Sequence, residues 1–172
     1  VLFTYSLSTT SILSMAGKRE TGRISITYDD ENDYRYKMWE STVVNNTEVT
    51  YLTKFKDETR TGAEAYRYMM PLIRMSELYL IAAECETDVQ KALDNYFNPL
   101  RFSRNCVNQN AIDEDALKNL IRAEYVREFI GEGQLFFYYK RLNVKVLHSY
   151  SENADLDMDA AKYVVPLPLS ET

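Results

Sequence analysis

The spacing of hydrophobic and polar positions changes character near residue 70. Before it the pattern alternates: Val1, Phe3 and Tyr5 against Leu2, Thr4 and Ser6, then Ile24 and Ile26 against Arg23, Ser25 and Thr27, then Val49, Tyr51 and Phe55 in one parity with Thr53. A period of two sends successive side chains to opposite faces of an extended chain, so residues 1–68 are predicted as short strands or hairpin arms joined by loops. A Ser/Thr tract at 6–14, an acidic patch of Asp29, Asp30, Glu31 and Asp33, and the turn signal Val44-Asn45-Asn46-Thr47 separate these arms. Ser11 to Met15 has room for one helical turn.

After residue 70 the spacing becomes helical. Pro71, Leu72, Ile73, Met75, Leu78 to Ala83 and Cys85 predict a helix that is apolar nearly all round, and therefore buried, with Pro71 in its first turn. A second helix is predicted over about 88–105, where Val89, Ala92, Leu93, Tyr96, Phe97 and Leu100 keep helical spacing and Pro99 kinks or interrupts it. A third starts at Asp113, an N-cap followed by Glu114 and Asp115, and shows one face of Leu117, Leu120, Ile121, Tyr125 and Phe129. Gly131 and Gly133 break it before the aromatic run 135–139, which Lys140 and Arg141 close. Residues 149–159 are acidic and read as loose. Val165-Pro166-Leu167-Pro168 reads as an extended arm that docks on something else. The organisation is strands and loops over 1–68, a helical scaffold over 69–143, and an acidic loop with a proline-containing arm over 144–172.

Composition narrows the picture. A chain of 172 residues, 45% hydrophobic and 27% charged, is one globular domain that needs neither disulfide nor metal to fold. Its longest apolar run, Leu78 to Ala83, stops at Glu84, far short of a membrane helix. A net charge of −6 argues against a nucleic-acid partner, since phosphate binding needs uncompensated Lys and Arg. The chain opens Val1-Leu2-Phe3 with no initiator Met, so its true start is expected to lie upstream. Tyrosine is abundant, and seven of the 14 fall in residues 1–68. A ring with an apolar body and a polar tip suits both packing edges and ligand surfaces.

Groups that carry chemistry are scarce. His148 is the one histidine, the five glycines form no phosphate loop, and Cys85 and Cys106 have no CxxC spacing, so no catalytic residue, metal or cofactor is expected. Two acidic pairs, Glu124 with Glu128 and Glu77 with Glu84, could flank a sugar bond as in a glycosidase. Each also has cations at helical spacing: Arg74 before Glu77, and Arg122 and Arg127 around Glu124. An unpaired buried carboxylate is costly, which favours ion pairs that hold helices in register.

Four stretches, taken in order, resemble one family. Pro71-Leu72-Ile73-Arg74 with Glu77, Tyr79, Leu80 and Glu84 is similar to the "PLIRxxExYLxxAE" helix of the SusD/RagB family of outer-membrane nutrient-binding lipoproteins. Glu124, Arg127, Glu128, Glu132, Gly133 and Arg141 resemble its "ERxxELxxEGxRxxDLxR" pattern, Val165 to Pro168 with Glu171 its closing "lPIPxxE", and Tyr51 to Phe55 its "yxxKy" strand. Tyr125, Leu135 and Tyr138 depart from it, replacing charged packing by aromatic packing. The resemblance implies a mostly α protein with an irregular β and loop N-terminal part and a SusD-like, tetratricopeptide-like helical scaffold, of which this chain is the C-terminal portion. It further implies a non-enzymatic, lipid-anchored protein on the surface of Bacteroidota that captures glycans or peptides for a TonB-dependent, SusC-like outer-membrane transporter. The alternative is a helical-repeat scaffold that binds a protein partner and no glycan. In the network the resemblance outlines, Arg74, Glu77, Glu84, Glu124, Arg127, Glu128, Glu132 and Arg141 are structural.

A glycan site needs aromatic faces and planar polar groups. The best local grouping is Asp33 to Glu40: in an extended chain Tyr34, Tyr36 and Met38 share one face, and Arg35, Lys37 and Trp39 the other. Trp39, with Arg35 or Lys37 and the tyrosines Tyr34 and Tyr36, is therefore the candidate ligand surface, while a buried Trp39 capping a hairpin edge is the competing reading. In an exported protein Cys85 and Cys106 could bridge, closing a loop of about twenty residues and contributing about 3 kcal/mol; two buried thiols are the alternative.

Overall fold

A computed structural model of the chain describes residues 14–16, 27–54, 73–149 and 154–164. Val1 to Tyr5, Ile24 and Ile26, Tyr66 and Tyr68, Pro71, and the C-terminal arm with Glu171 lie outside these residues. The structure divides into two units, residues 1–131 and 132–172.

In the first unit, β2 (Trp39–Val44) and β3 (Thr47–Leu52) form a hairpin in register from Trp39 opposite Leu52 to Val44 opposite Thr47. Its two turn residues, Asn45 and Asn46, have φ of 49° and 63°. Two successive left-handed residues match the right-handed strand twist, and asparagine tolerates that region well. The segment expected to add a helical turn instead supplies β1 (Ser14–Ala16), antiparallel to β3, giving the order β1-β3-β2. Pairing there satisfies backbone groups that an open edge of β3 would leave bare. A core of Tyr28, Trp39 and Leu52, joined by Tyr36, Met38 and Ile130, fills the sheet end.

The helices follow. Helix α1 (Met75–Cys85) buries Ser76, Leu80 and Ala83, packed against the later helix Glu114–Phe129 and the segment Leu93–Phe97. It is not buried all round, because Met75, Leu78 and Ile81 are 65%, 48% and 42% exposed. An apolar sequence without a polar side carries no signal for which face is covered. The second predicted helix is built in three pieces: α2 (Val89–Ala92), a π segment (Leu93–Phe97) and α3 (Asn98–Ser103). Pro99 has no N–H to donate to the turn before it, and the Asn98 N–H reaches back five residues to the Leu93 carbonyl. The wide turn absorbs the proline, so the helix continues. Helix α4 (Glu114–Phe129) starts as expected, with Asp113 accepting from the Ala116 N–H at 2.8 Å. Gly131 and Gly133, at φ 78° and 76°, end it. A side chain at Gly133 would meet nothing within 4 Å, so the left-handed backbone, not space, favours glycine there.

In the second unit, α5 (Gln134–Arg141) is followed by β4 (Val146–Ser149) and β5 (Ala154–Asp157), which pair antiparallel. Part of the acidic stretch expected to be loose is thus strand. Tyr163 is buried, donates its hydroxyl to the Val144 carbonyl at 2.8 Å, and packs its ring 5.8 Å from Phe136. The chain is mostly α, with short strands and an irregular N-terminal part.

Candidate functional site

Nine charged side chains of the first unit converge on one buried hub. Glu124, Arg127 and Glu128 occupy positions i, i+3 and i+4, which places them on one stripe of α4, turned inward with Leu117 and Ile121. Glu124 and Glu128 are 0% and 1% exposed. A 3-10 helix, Tyr34–Met38, brings Arg35 against them, and its N-cap Asp33 accepts from the Arg35 backbone N–H at 2.8 Å.

Arg35 is the centre. Its Nη2 lies 2.7 Å from Asp33 and 2.6 Å from Glu124, and its Nη1 lies 2.9 Å from Glu128. Arg101, from α3, donates Nη1 to Glu124 at 3.0 Å and reaches Asp29 at 3.2 Å. Arg127 mirrors it, 3.0 Å from Glu124 and 3.3 Å from Asp29. Glu128 receives Arg104 Nη2 at 2.8 Å and Nε at 3.2 Å, with Arg74 Nη1 at 3.5 Å. Its backbone carbonyl, in the last turn of α4, accepts from Lys54 at 2.7 Å and Arg74 at 3.1 Å, where cations meet the negative end of the helix. Four carboxylates, Asp29, Asp33, Glu124 and Glu128, thus face five guanidiniums, Arg35, Arg74, Arg101, Arg104 and Arg127.

The electrostatics follow from that count. Burial pushes the Glu128 carboxyl up, but the hydrogen bond and charge of Arg104, the charge of Arg35 and the Ser76 hydroxyl outweigh it and hold the pKa at about 2. Burial likewise works against the Arg35 charge, and Asp33, Glu124 and Glu128 reverse it, so its pKa is raised. A glycosidase acid needs the opposite: a raised carboxyl in an open cleft. Glu124 and Glu128 are closed off and each paired with three arginines, which removes the glycosidase arrangement.

The predicted ligand residues separate. Trp39 is 0% exposed, donates its ring N–H to the Tyr28 hydroxyl at 3.3 Å and belongs to the core, and Arg35 is committed to the hub. This corrects the expectation that Trp39 and Arg35 line a ligand surface. The cause is local: residues 34–38 form a 3-10 helix, so the two-residue alternation assumed for them does not hold. Lys37 and Tyr34 remain exposed, with the ammonium 5.6 Å from the ring centre, and Tyr36 is half-buried against Tyr28 at 6.1 Å. Cys85 and Cys106 are both free thiols, correcting the possible bridge; Cys85 is exposed and Cys106 buried. Burial, then the charge and hydrogen bond of Asp33, push the Cys106 thiol up to about 12. Of the remaining network residues, Glu77 and Glu84 stand half-buried on α1, while Glu132 and Arg141 lie in the second unit, with Arg141 5.3 Å from the Tyr138 ring centre.

Sequence reasoning missed Asp29, Asp33, Arg101 and Arg104 as hub members. Their partners lie 23 residues away or more, except within the Asp33–Arg35 pair.

A mostly helical framework locked by internal arginine–carboxylate pairs, with aromatic groups left at its surface, is the class of molecule this geometry defines. The chain belongs to the SusD family, whose sequence pattern matches residues 11–166. That family comprises nutrient-binding, generally non-catalytic proteins of the outer-membrane cell surface. No curated protein and no solved structure is matched by the chain.

Proposed function

We propose that this chain is part of a non-catalytic, cell-surface protein that binds glycans and delivers them to a TonB-dependent, SusC-like outer-membrane transporter. The observation that carries this reading is the SusD family match over residues 11–166. The closed state of Glu124 and Glu128 supports the non-catalytic half, since the best-placed acid pair is committed to arginine. In this reading the full-length protein is lipid-anchored, its helices form a tetratricopeptide-like scaffold, and the source is a member of the Bacteroidota. Tyr34 and Lys37 supply the exposed part of the ligand surface, with Tyr36 at its edge. Trp39 and Arg35 hold that surface in place from behind.

A second reading has its own support. Helix α1 exposes Met75, Leu78 and Ile81 along one side, a feature that suits a helical scaffold binding a protein partner and no glycan. One experiment separates the two. Titration of the chain with a panel of neutral and acidic oligosaccharides, followed by calorimetry, gives saturable binding on the first reading. Silence across the panel, together with co-purification of a partner that Leu78→Asp abolishes, favours the second.

A further inference from the structure

The sheet of the first unit has an unprotected edge. In the order β1-β3-β2, strand β2 is flanked on one side only among the described residues, and Ser41, Thr42 and Val43 are all exposed, with Val43 at 69%. Hydrogen-bonding direction alternates along an antiparallel strand, so one bond fixes the rest. The Thr53 N–H donates to the Met38 carbonyl at 2.7 Å, which makes Met38 a residue that bonds toward β3. Counting by twos, Glu40, Thr42 and Val44 also bond toward β3, as the two-residue turn at Asn45 and Asn46 requires of its flanking pair Val44 and Thr47. The N–H and C=O groups of Ser41 and Val43 therefore point away from the sheet, and they have no backbone partner among the described residues.

Edges that stay bare in water are blunted by lysine, proline, a bulge or a covering loop. Strand β2 has no lysine and no proline, and its register with β3 runs one to one from Trp39 to Val44 without a bulge. Its single charge, Glu40, is drawn to the neighbouring strand, where it accepts from the Tyr51 hydroxyl at 2.8 Å. Bare N–H and C=O groups at two-residue spacing have one complement, another extended backbone.

The strand is complementary to itself. Laid antiparallel across a two-fold axis at Thr42, two β2 strands set Ser41 of each copy opposite Val43 of the other, and each such pair exchanges both its N–H and C=O groups. Thr42 then meets Thr42, a favourable cross-strand pair, and Glu40 stands opposite Val44, so no like charges oppose each other. Other two-fold registers fail. A shift toward Trp39 meets an N–H already given to the Tyr36 carbonyl, and a shift toward Asn45 meets a left-handed turn.

We propose that β2 is the contact surface for a second copy of this chain, which adds its own β2 antiparallel and joins the two sheets into one. A single pair of short strands covers less than the roughly 800 Å² per partner of a stable interface, so the association is reversible. Each copy carries −6, so salt strengthens it.

Sedimentation equilibrium of the 172-residue chain at rising concentration, in low and in high salt, tests this. Expected is a shift from 20.1 kDa toward twice that mass, larger in high salt. The Ser41 and Val43 amides should gain protection from hydrogen exchange with the same concentration dependence. Val43→Pro deletes one outward N–H at an edge position where proline is tolerated, so the chain keeps its circular dichroism and stays monomeric. Thr42→Glu sets two carboxylates against each other at the axis and has the same effect; a dye-labelled Thr42→Glu chain returns to the doubled mass when unlabelled Thr42→Lys chain is added. A mass of 20.1 kDa under every condition overturns the proposal, whether the two amides exchange freely or are protected at all concentrations by some other strand. Association that Val43→Pro and Thr42→Glu leave intact also overturns it, by placing the contact elsewhere. Loss without recovery in the mixture overturns the two-fold register.

Discussion

Arg104 grips the Glu128 carboxylate with two nitrogens, Nη2 at 2.8 Å and Nε at 3.2 Å, from a position 24 residues earlier in the chain, just past the end of α3. The side-on, two-bond geometry is the strongest that an arginine and a carboxylate can form. Because Glu128 is 1% exposed, it also decides how the first unit tolerates change. Glu128→Gln leaves Arg35 and Arg104 facing an uncharged amide in a dry setting. The expected loss is about 3–5 kcal/mol, read as a lower urea midpoint. Glu114→Gln, which breaks only the exposed pair with Lys118, is expected to change stability by about 0.5 kcal/mol or less.

Acid should act through the same group. Glu128 has a pKa lowered from 4.5 to about 2 on folding, so its contribution is complete above pH 4.5 and is lost as pH falls from there toward 2. The shift corresponds to a contribution on the order of 3 kcal/mol. Urea unfolding measured from pH 6 down to 2 should show falling stability in that window, and Glu128→Gln should flatten the slope. A slope unchanged by the substitution would assign the acid sensitivity elsewhere.

The two thiols should differ in reactivity. Cys85 is exposed, whereas Cys106 is buried with its pKa at about 12, so almost no thiolate forms at pH 8. Ellman's reagent is expected to titrate one thiol per native chain and two after denaturation, with no disulfide on non-reducing mass analysis.

Much of the helical framework was readable from local pattern. Asp113 as an N-cap, the glycine break at 131 and 133, the Asn45-Asn46 turn and the inward stripe of Glu124, Arg127 and Glu128 all depend on neighbours within one or two turns of chain. What resisted reading depends on distance. Arg35 and Glu128 are 93 residues apart, and Arg101 and Asp29 are 72 apart, so no spacing rule links them. The exposed face of α1 was hidden by its uniform apolarity. Trp39 was misplaced because a 3-10 helix stands where an alternating strand was assumed, which moves each side chain after Tyr34 to a new direction.

Trp39 gives a spectroscopic check on that correction. As the sole tryptophan, 0% exposed and hydrogen-bonded to Tyr28, it should emit at short wavelength and resist acrylamide quenching in the native chain. Trp39→Ala is expected to destabilise by about 3–5 kcal/mol through the cavity it leaves. Loss of ligand binding in that variant should then track unfolding, and Tyr34→Ala should weaken binding while stability stays within about 0.5 kcal/mol.

On the proposed reading, this SusD family chain binds sugar while Glu124 and Glu128, its best-placed acid pair, stay locked by arginine. Equilibrium dialysis against reducing-end-labelled oligosaccharides, followed by mass spectrometry of the retained material, tests both halves at once. Saturable retention of at least one oligosaccharide is expected, with the sugar recovered at its starting mass after prolonged incubation. Shortened products, or no retention of any member of the panel, would contradict it.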